Sequence, residues 1–134
     1  IFGRRSALAA AGYMPEHYFL YFEETDWFLD MQSKGGLRKP LVFPDMHIEN
    51  HKRSENGLVP SRYYIYYFIR NSLIFGRKFA SGQMPDCIRE ARKFADAWLA
   101  KIARGAPGRL AEFERLVEQA FTDGENGRTG RVNI

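Results

Sequence analysis

Residues 17–30 read HYFLYFEETDWFLD. An aromatic run, His17 to Phe22, gives way without a spacer to three carboxylates, Glu23, Glu24 and Asp26, and then to Trp27. A short segment this rich in Tyr and Phe predicts a strand. From Thr25 the period changes. Trp27, Phe28 and Met31 recur at helical spacing, with Thr25 as N-cap and Gly35–Gly36 as the stop. Acids in the first turn of a helix interact favourably with its dipole, by about 0.3–1 kcal/mol each, and need no other purpose. Acids where a buried strand runs into a helix can instead serve chemistry. The backbone there is fixed on both sides, and a carboxylate can meet a hydroxyl at hydrogen-bond distance.

Within the acid cluster, Glu23 and Glu24 are adjacent and point different ways, so they would take separate roles. Asp26 and Asp30 are four apart, on one helical face. Trp27 offers an apolar plate for a sugar ring.

Working outward, RRSALAAAG (residues 4–12) predicts a short helix capped by Ser6 and stopped by Gly12. LVF and HIE flank Pro44–Asp45 and read as short strands around a turn. After a polar loop, residues 61–80 form a helix that is apolar on most faces, either buried or laid on a membrane surface. Arg70–Asn71 interrupt it and are expected to hydrogen-bond inward. Residues 85–104 put Ile88, Ala91, Ala95, Trp98, Leu99 and Ile102 on one face. Residues 108–122 do the same with Leu110, Phe113, Leu116, Val117, Ala120 and Phe121. The tail, DGENGRTGRVNI, reads as loose. The chain therefore divides near residue 58, into a mixed strand-and-helix part, 1–57, and a helical part, 58–134.

Composition bounds the rest. The 134 residues suffice for one domain with a core, 45% are apolar and 15% aromatic, and the formal charge is +4. The lysines and arginines form no stripe, so no nucleic-acid partner is expected. A single cysteine, Cys87, excludes a disulfide within the chain and fits a reducing compartment. Within these residues nothing reads as a secretory leader or as an apolar run of about 18 residues. The opening IFGRRSALAAAGY, with no initiating methionine, reads as the middle of a longer polypeptide.

The order of motifs carries a resemblance. Gly12 is followed by Phe19-Leu20-Tyr21-Phe22-Glu23-Glu24-Thr25-Asp26-Trp27, then Gly35 or Gly36, Pro44-Asp45, His51, and Tyr66-Tyr67 through Arg70-Asn71. This resembles the second half of a family 2 glycosyltransferase, and is most similar to bacterial rhamnosyltransferase-like members of that GT-A family. The match covers about residues 1–80. It implies an α/β fold, here a helix-rich α+β fragment: the acceptor-side half of a GT-A domain over 1–57, with C-terminal helices over 58–134.

The activity implied is inverting transfer of a sugar from a nucleotide-sugar to a glycan or lipid-linked acceptor, as in cell-surface polysaccharide synthesis. Glu24 would be the catalytic base, Glu23 and Asp26 would shape the acceptor site, and Trp27 would contact the acceptor. The family usually has Asp at the position of Glu24; the extra methylene moves the carboxylate by about 1.5 Å. It usually has a basic residue where this chain has Asp30.

The resemblance also implies a divalent metal, Mg or Mn, on the donor diphosphate. His51 would be its ligand in this chain, with His47 in reserve. An H-x-x-x-H zinc pair is disfavoured, because four residues of strand span about 13 Å. The other ligands, an Asp-x-Asp motif, do not occur here and are expected upstream, so these residues alone are expected to be inactive. The implied location is cytoplasmic, at the inner face of the membrane, with room for peripheral membrane contact and for oligomers. The competing reading is a non-catalytic helical interaction module in which the acids are helix caps. A glycoside hydrolase needs two acids across a cleft, and here they are clustered.

Overall fold

The computed structural model describes residues 5–34 and 59–134, and in them every regular element is helical. Helix α1 (Arg5–Ala11) leads through Gly12, whose φ of +83° only glycine adopts without strain, to a 3-10 turn at Glu16–Tyr18. Helix α2 covers Glu23–Ser33. Three long helices follow: α3 (Arg62–Phe79), α4 (Met84–Gly105) and α5 (Leu110–Glu125).

The ends of these helices follow local chemistry. Ser61 caps α3 by accepting the Tyr64 N–H at 3.1 Å, while Arg77 and Lys78 suit the negative end of its dipole. Pro85 lies in the first turn of α4, where its missing N–H costs nothing. A 3-10 turn at Pro107–Arg109 reverses the chain into α5.

The core lies between α3, α4 and α5. Ile65, Ile69 and Leu73 of α3 meet Ala91, Ala95, Trp98 and Ile102 of α4 and Phe113, Leu116, Val117, Ala120 and Phe121 of α5, all buried. The apolar stripes read from the sequence are the stripes that pack, with Ile88, Leu99 and Leu110 partly buried at their margins. Trp98 is boxed by Tyr64 and Phe68 at 5.3 Å each, both edge-on. Helix α3 is apolar on most faces because it has two buried sides. Its second side, with Tyr67, Asn71 and Phe75, receives the loop before α2. It is thus a core helix, and among the described residues no helix is long and apolar enough to cross a membrane.

Three expectations are corrected. The α/β fold class fails, because no strand occurs among the described residues. The aromatic run that predicted one forms the 3-10 turn and then bends. Phe19, Tyr21 and Phe22 have φ of 69°, 64° and 73°, which destroys the alternation a strand needs. The N-cap of α2 is not Thr25 but Phe22, in the left-handed region, so Glu23 and Glu24 already belong to the helix. The C-terminal tail is not loose. Val132 is buried, its N–H donates to the Tyr67 hydroxyl at 2.7 Å, and the Gly130 N–H donates to the His17 carbonyl at 2.6 Å. The strands at LVF and HIE, the stop at Gly35–Gly36, and His47 and His51 lie outside the described residues.

Candidate functional site

The acids are mounted on a strained support. Residues 19–22 hold three aromatic side chains at positive φ, a region that costs bulky residues about 1–3 kcal/mol each. Phe19, with ψ of −50°, sits near the rare γ-turn conformation. Such strain persists only where the surroundings over-determine it, and here α3 does so through rings and through hydrogen bonds. Phe19 packs on Tyr67 at 5.1 Å, Tyr21 meets Tyr64 edge-on at 5.2 Å, and Phe22 lies against Phe68 and Phe75 at 5.6 and 5.3 Å. Each aromatic pair contributes about 0.5–1.5 kcal/mol beyond its burial.

Among the described residues the carbonyls of this loop have no strand partner. They are met by side chains of α3. Arg70 donates to the Tyr18 carbonyl at 2.7 Å, and the Asn71 amide donates to Tyr18 (3.0 Å), Leu20 and Tyr21 (3.3 Å). Arg70 also reaches the Gly130 carbonyl of the tail at 2.7 Å. Its guanidinium is fully buried with neutral acceptors and lies over the Tyr67 and Tyr66 rings, 4.6 and 5.6 Å from their centres. Burial lowers its proton affinity, and the nearby Tyr66, Tyr67 and Asp123 oppose that shift.

The four acids of α2 occupy different environments. Asp26 is fully buried; one oxygen accepts the Tyr18 hydroxyl at 2.7 Å and the other the Lys78 ammonium at 2.6 Å. Both oxygens are engaged, so Asp26 holds α2 against the 3-10 turn and the end of α3. Asp30 shares Lys78 at 3.1 Å, which bears out the common face of the two acids. Lys78 of α3 thus bridges the two acids of α2. Burial first, then the bond to Asp26, drives the Tyr18 phenol far above its ordinary range.

Glu24 is exposed. Glu23 is half-buried, and its Oε2 is buried with no hydrogen-bond partner among the described residues. Neither caps the helix by a side-chain hydrogen bond. Glu23 lines an open pocket of about 400 Å³ with Met14, Pro15, Glu16 and Phe19. Two carboxylates, a 40%-exposed aromatic ring and a thioether form a surface suited to a polyol: hydroxyls to the acids, C–H faces to Phe19.

Trp27 does not offer the open plate expected of it. It is 6% exposed, and its indole N–H donates to the Gly12 carbonyl at 2.9 Å, closing α1 onto α2. Phe19 is instead an exposed ring on the pocket wall, beside Glu16 and Glu23. Sequence reasoning did not single out Glu16, Phe19 or Lys78. The only signal for Lys78 was its place in the last turn of α3, which the helix dipole explains equally well. Arg70–Asn71 were legible as the polar break in an apolar helix.

Among the described residues no three His, Cys, Asp or Glu side chains converge as a metal site. The expected ligand His51 is outside those residues. No family model matches the chain, and neither does any curated protein or solved structure.

Proposed function

We propose that this chain supplies the acceptor side of an inverting sugar-transfer site, acting on a glycan or lipid-linked acceptor with a nucleotide-sugar as donor. The observation that carries this reading is the placement of Glu23 and Glu24 in the first turn of α2, at the end of a strained loop, with Glu23 on the wall of the pocket it shares with Glu16 and Phe19. Strain of this kind concentrates where geometry serves function, and the order of motifs resembles that of family 2 glycosyltransferases.

In this reading Glu24, exposed and unencumbered by the ion pair that engages Asp26, is the general base. Its carboxylate takes the proton of the acceptor hydroxyl as that oxygen attacks the anomeric carbon. The bond from that carbon to the nucleoside diphosphate breaks, the leaving group departs with the electron pair, and the configuration inverts. Glu23 lends its carboxylate to the wall of the pocket that takes the acceptor, and Phe19 takes the ring-contact role first expected of Trp27. Asp26 shapes the site by fixing α2. A divalent cation, where bound, would neutralise the leaving diphosphate, with His51 as this chain's expected contribution.

The test is sugar transfer by the gene product that carries these residues, with a panel of nucleotide-sugars and acceptor, comparing the parent with Glu24→Gln. A loss of about 10²–10⁴ with donor binding intact is expected. No transfer by the parent with any donor would return the acids to a structural role in a non-catalytic helical module.

A further inference from the structure

We infer that Arg70 and Asn71 are the positioning residues of this site, setting the direction in which the first turn of α2 presents Glu23 and Glu24. This rests on the sugar-transfer reading for its kinetic consequence, though not for its structural one.

The two side chains work as a unit. The Arg70 Nε–H donates to Asn71 Oδ1 at 2.8 Å. That bond fixes which way the amide faces, leaving the Asn71 NH2 aimed at the loop. Its two hydrogens are shared among the carbonyls of Tyr18, Leu20 and Tyr21, while Arg70 adds a second bond to Tyr18. Three of the four carbonyls from Tyr18 to Tyr21 are therefore held by one helical turn of α3. Residues needed only to complete the core would bond within the bundle. These reach out to the backbone of the loop that contains every non-glycine positive φ among the described residues, with one further bond from Arg70 to the Gly130 carbonyl of the tail.

The consequence is geometric. Freed of its clamp, the loop relaxes toward ordinary negative φ, and each such change rotates the flanking peptide planes. Phe22 is both the last of the strained residues and the N-cap of α2, and its carbonyl accepts the Asp26 N–H at 2.9 Å. A rotation there re-aims the first turn, and with it both glutamates.

Asn71→Asp isolates the effect. It is isosteric, keeps an oxygen for the Arg70 Nε–H, and replaces the donor facing the carbonyls with an acceptor. On the isotopically labelled 134-residue chain, three-bond HN–Hα couplings and Cα shifts should lose the positive-φ signature at Phe19, Tyr21 and Phe22. Signals of Ala95 and Ile102, in the core face of α4, should stay in place. In the active gene product kcat should fall by about 10²-fold, as for other displaced catalytic groups, with acceptor KM little changed. A retained loop signature, or an unchanged kcat, overturns the inference. If Asn71→Asp does not fold, Arg70→Lys, which keeps the charge and replaces the fork with a single donor, is read in the same two ways. If the parent transfers no sugar, the enzymatic reading fails while the couplings still decide whether the pair holds the loop.

Discussion

Lys78 Nζ lies 2.6 Å from Asp26 Oδ1, on a carboxylate whose other oxygen already accepts the Tyr18 hydroxyl. This one contact ties the C-terminal turn of α3 to α2 and to the 3-10 turn. The Asp26 side chain is 1% exposed and that of Lys78 38%. Removing one partner of a fully buried pair costs about 3–5 kcal/mol. Water reaches the ammonium here and screens the attraction, so Lys78→Met should cost less, about 1–2 kcal/mol. Urea unfolding should show the midpoint fall with the slope unchanged.

Alkali should act through the same cluster. Burial tends to lower the Lys78 proton affinity, but the bonds to Asp26 and Asp30 outweigh it and the net shift is upward. Burial, reinforced by Asp26 and Asp123 respectively, raises Tyr18 and Tyr66. All three groups hold their protons more tightly when folded. Their stabilisation is complete below the unfolded values, 10.0 for tyrosine and 10.5 for lysine, and is lost as pH rises through the folded ones. Stability should therefore fall from about pH 10 upward, and Tyr18→Phe and Tyr66→Phe should each flatten that fall. An unfolding series from pH 8 to 11.5 measures it; a flat profile in the parent would contradict the assignment.

The helical half was legible because its stripes are long. Ala91, Ala95, Trp98 and Ile102 repeat over about three turns, and no other period fits them. Residues 17–22 were not legible, because six aromatic-rich residues satisfy a strand pattern whatever their dihedrals. Positive φ at a Phe or Tyr leaves no mark in composition; it is imposed by α3, about 50 residues away, through Asn71 and Tyr64. The tail misled for a similar reason. Its glycines and polar residues read as loose, yet Val132 donates to Tyr67 at a sequence separation of 65. For the site, the acids and the Arg70–Asn71 break were visible. The choice of Phe19 over Trp27 was not, because burial of an amphipathic ring depends on what closes over it.

At Gly124, α5 lies close against α3. A Cβ there would stand 2.9 Å from the Arg70 carbonyl oxygen and 2.9 Å from Leu73 Cδ1. The first is backbone and cannot step aside. Gly124→Ala gains about 1 kcal/mol of helix propensity but should lose more through overpacking, about 1–3 kcal/mol, for a net destabilisation. Gly76→Ala is the control. Its Cβ would meet Cys87 Sγ at 2.9 Å, which can turn away, and Cys87 Cβ at 3.2 Å, which needs a shift of only tenths of an ångström, so its net change should be smaller. Thermal unfolding of the two variants should rank them in that order.

Glu23 separates a structural acid from a functional one by the sign of a stability change. If it served only the dipole of α2, replacing it would cost about 0.3–1 kcal/mol. Its Oε2 is instead buried without a partner among the described residues, and an unsatisfied buried oxygen costs about 1–3 kcal/mol. Glu23→Met keeps the length and removes the orphan, so the folded chain should gain about 0–2.7 kcal/mol after the dipole term is deducted. On the sugar-transfer reading, transfer by the gene product should fall at the same time, since a carboxylate on the pocket wall is gone. That combination, stability up and activity down, is what a site residue held at a cost to the fold produces. A chain destabilised by Glu23→Met would instead make Glu23 an ordinary first-turn acid.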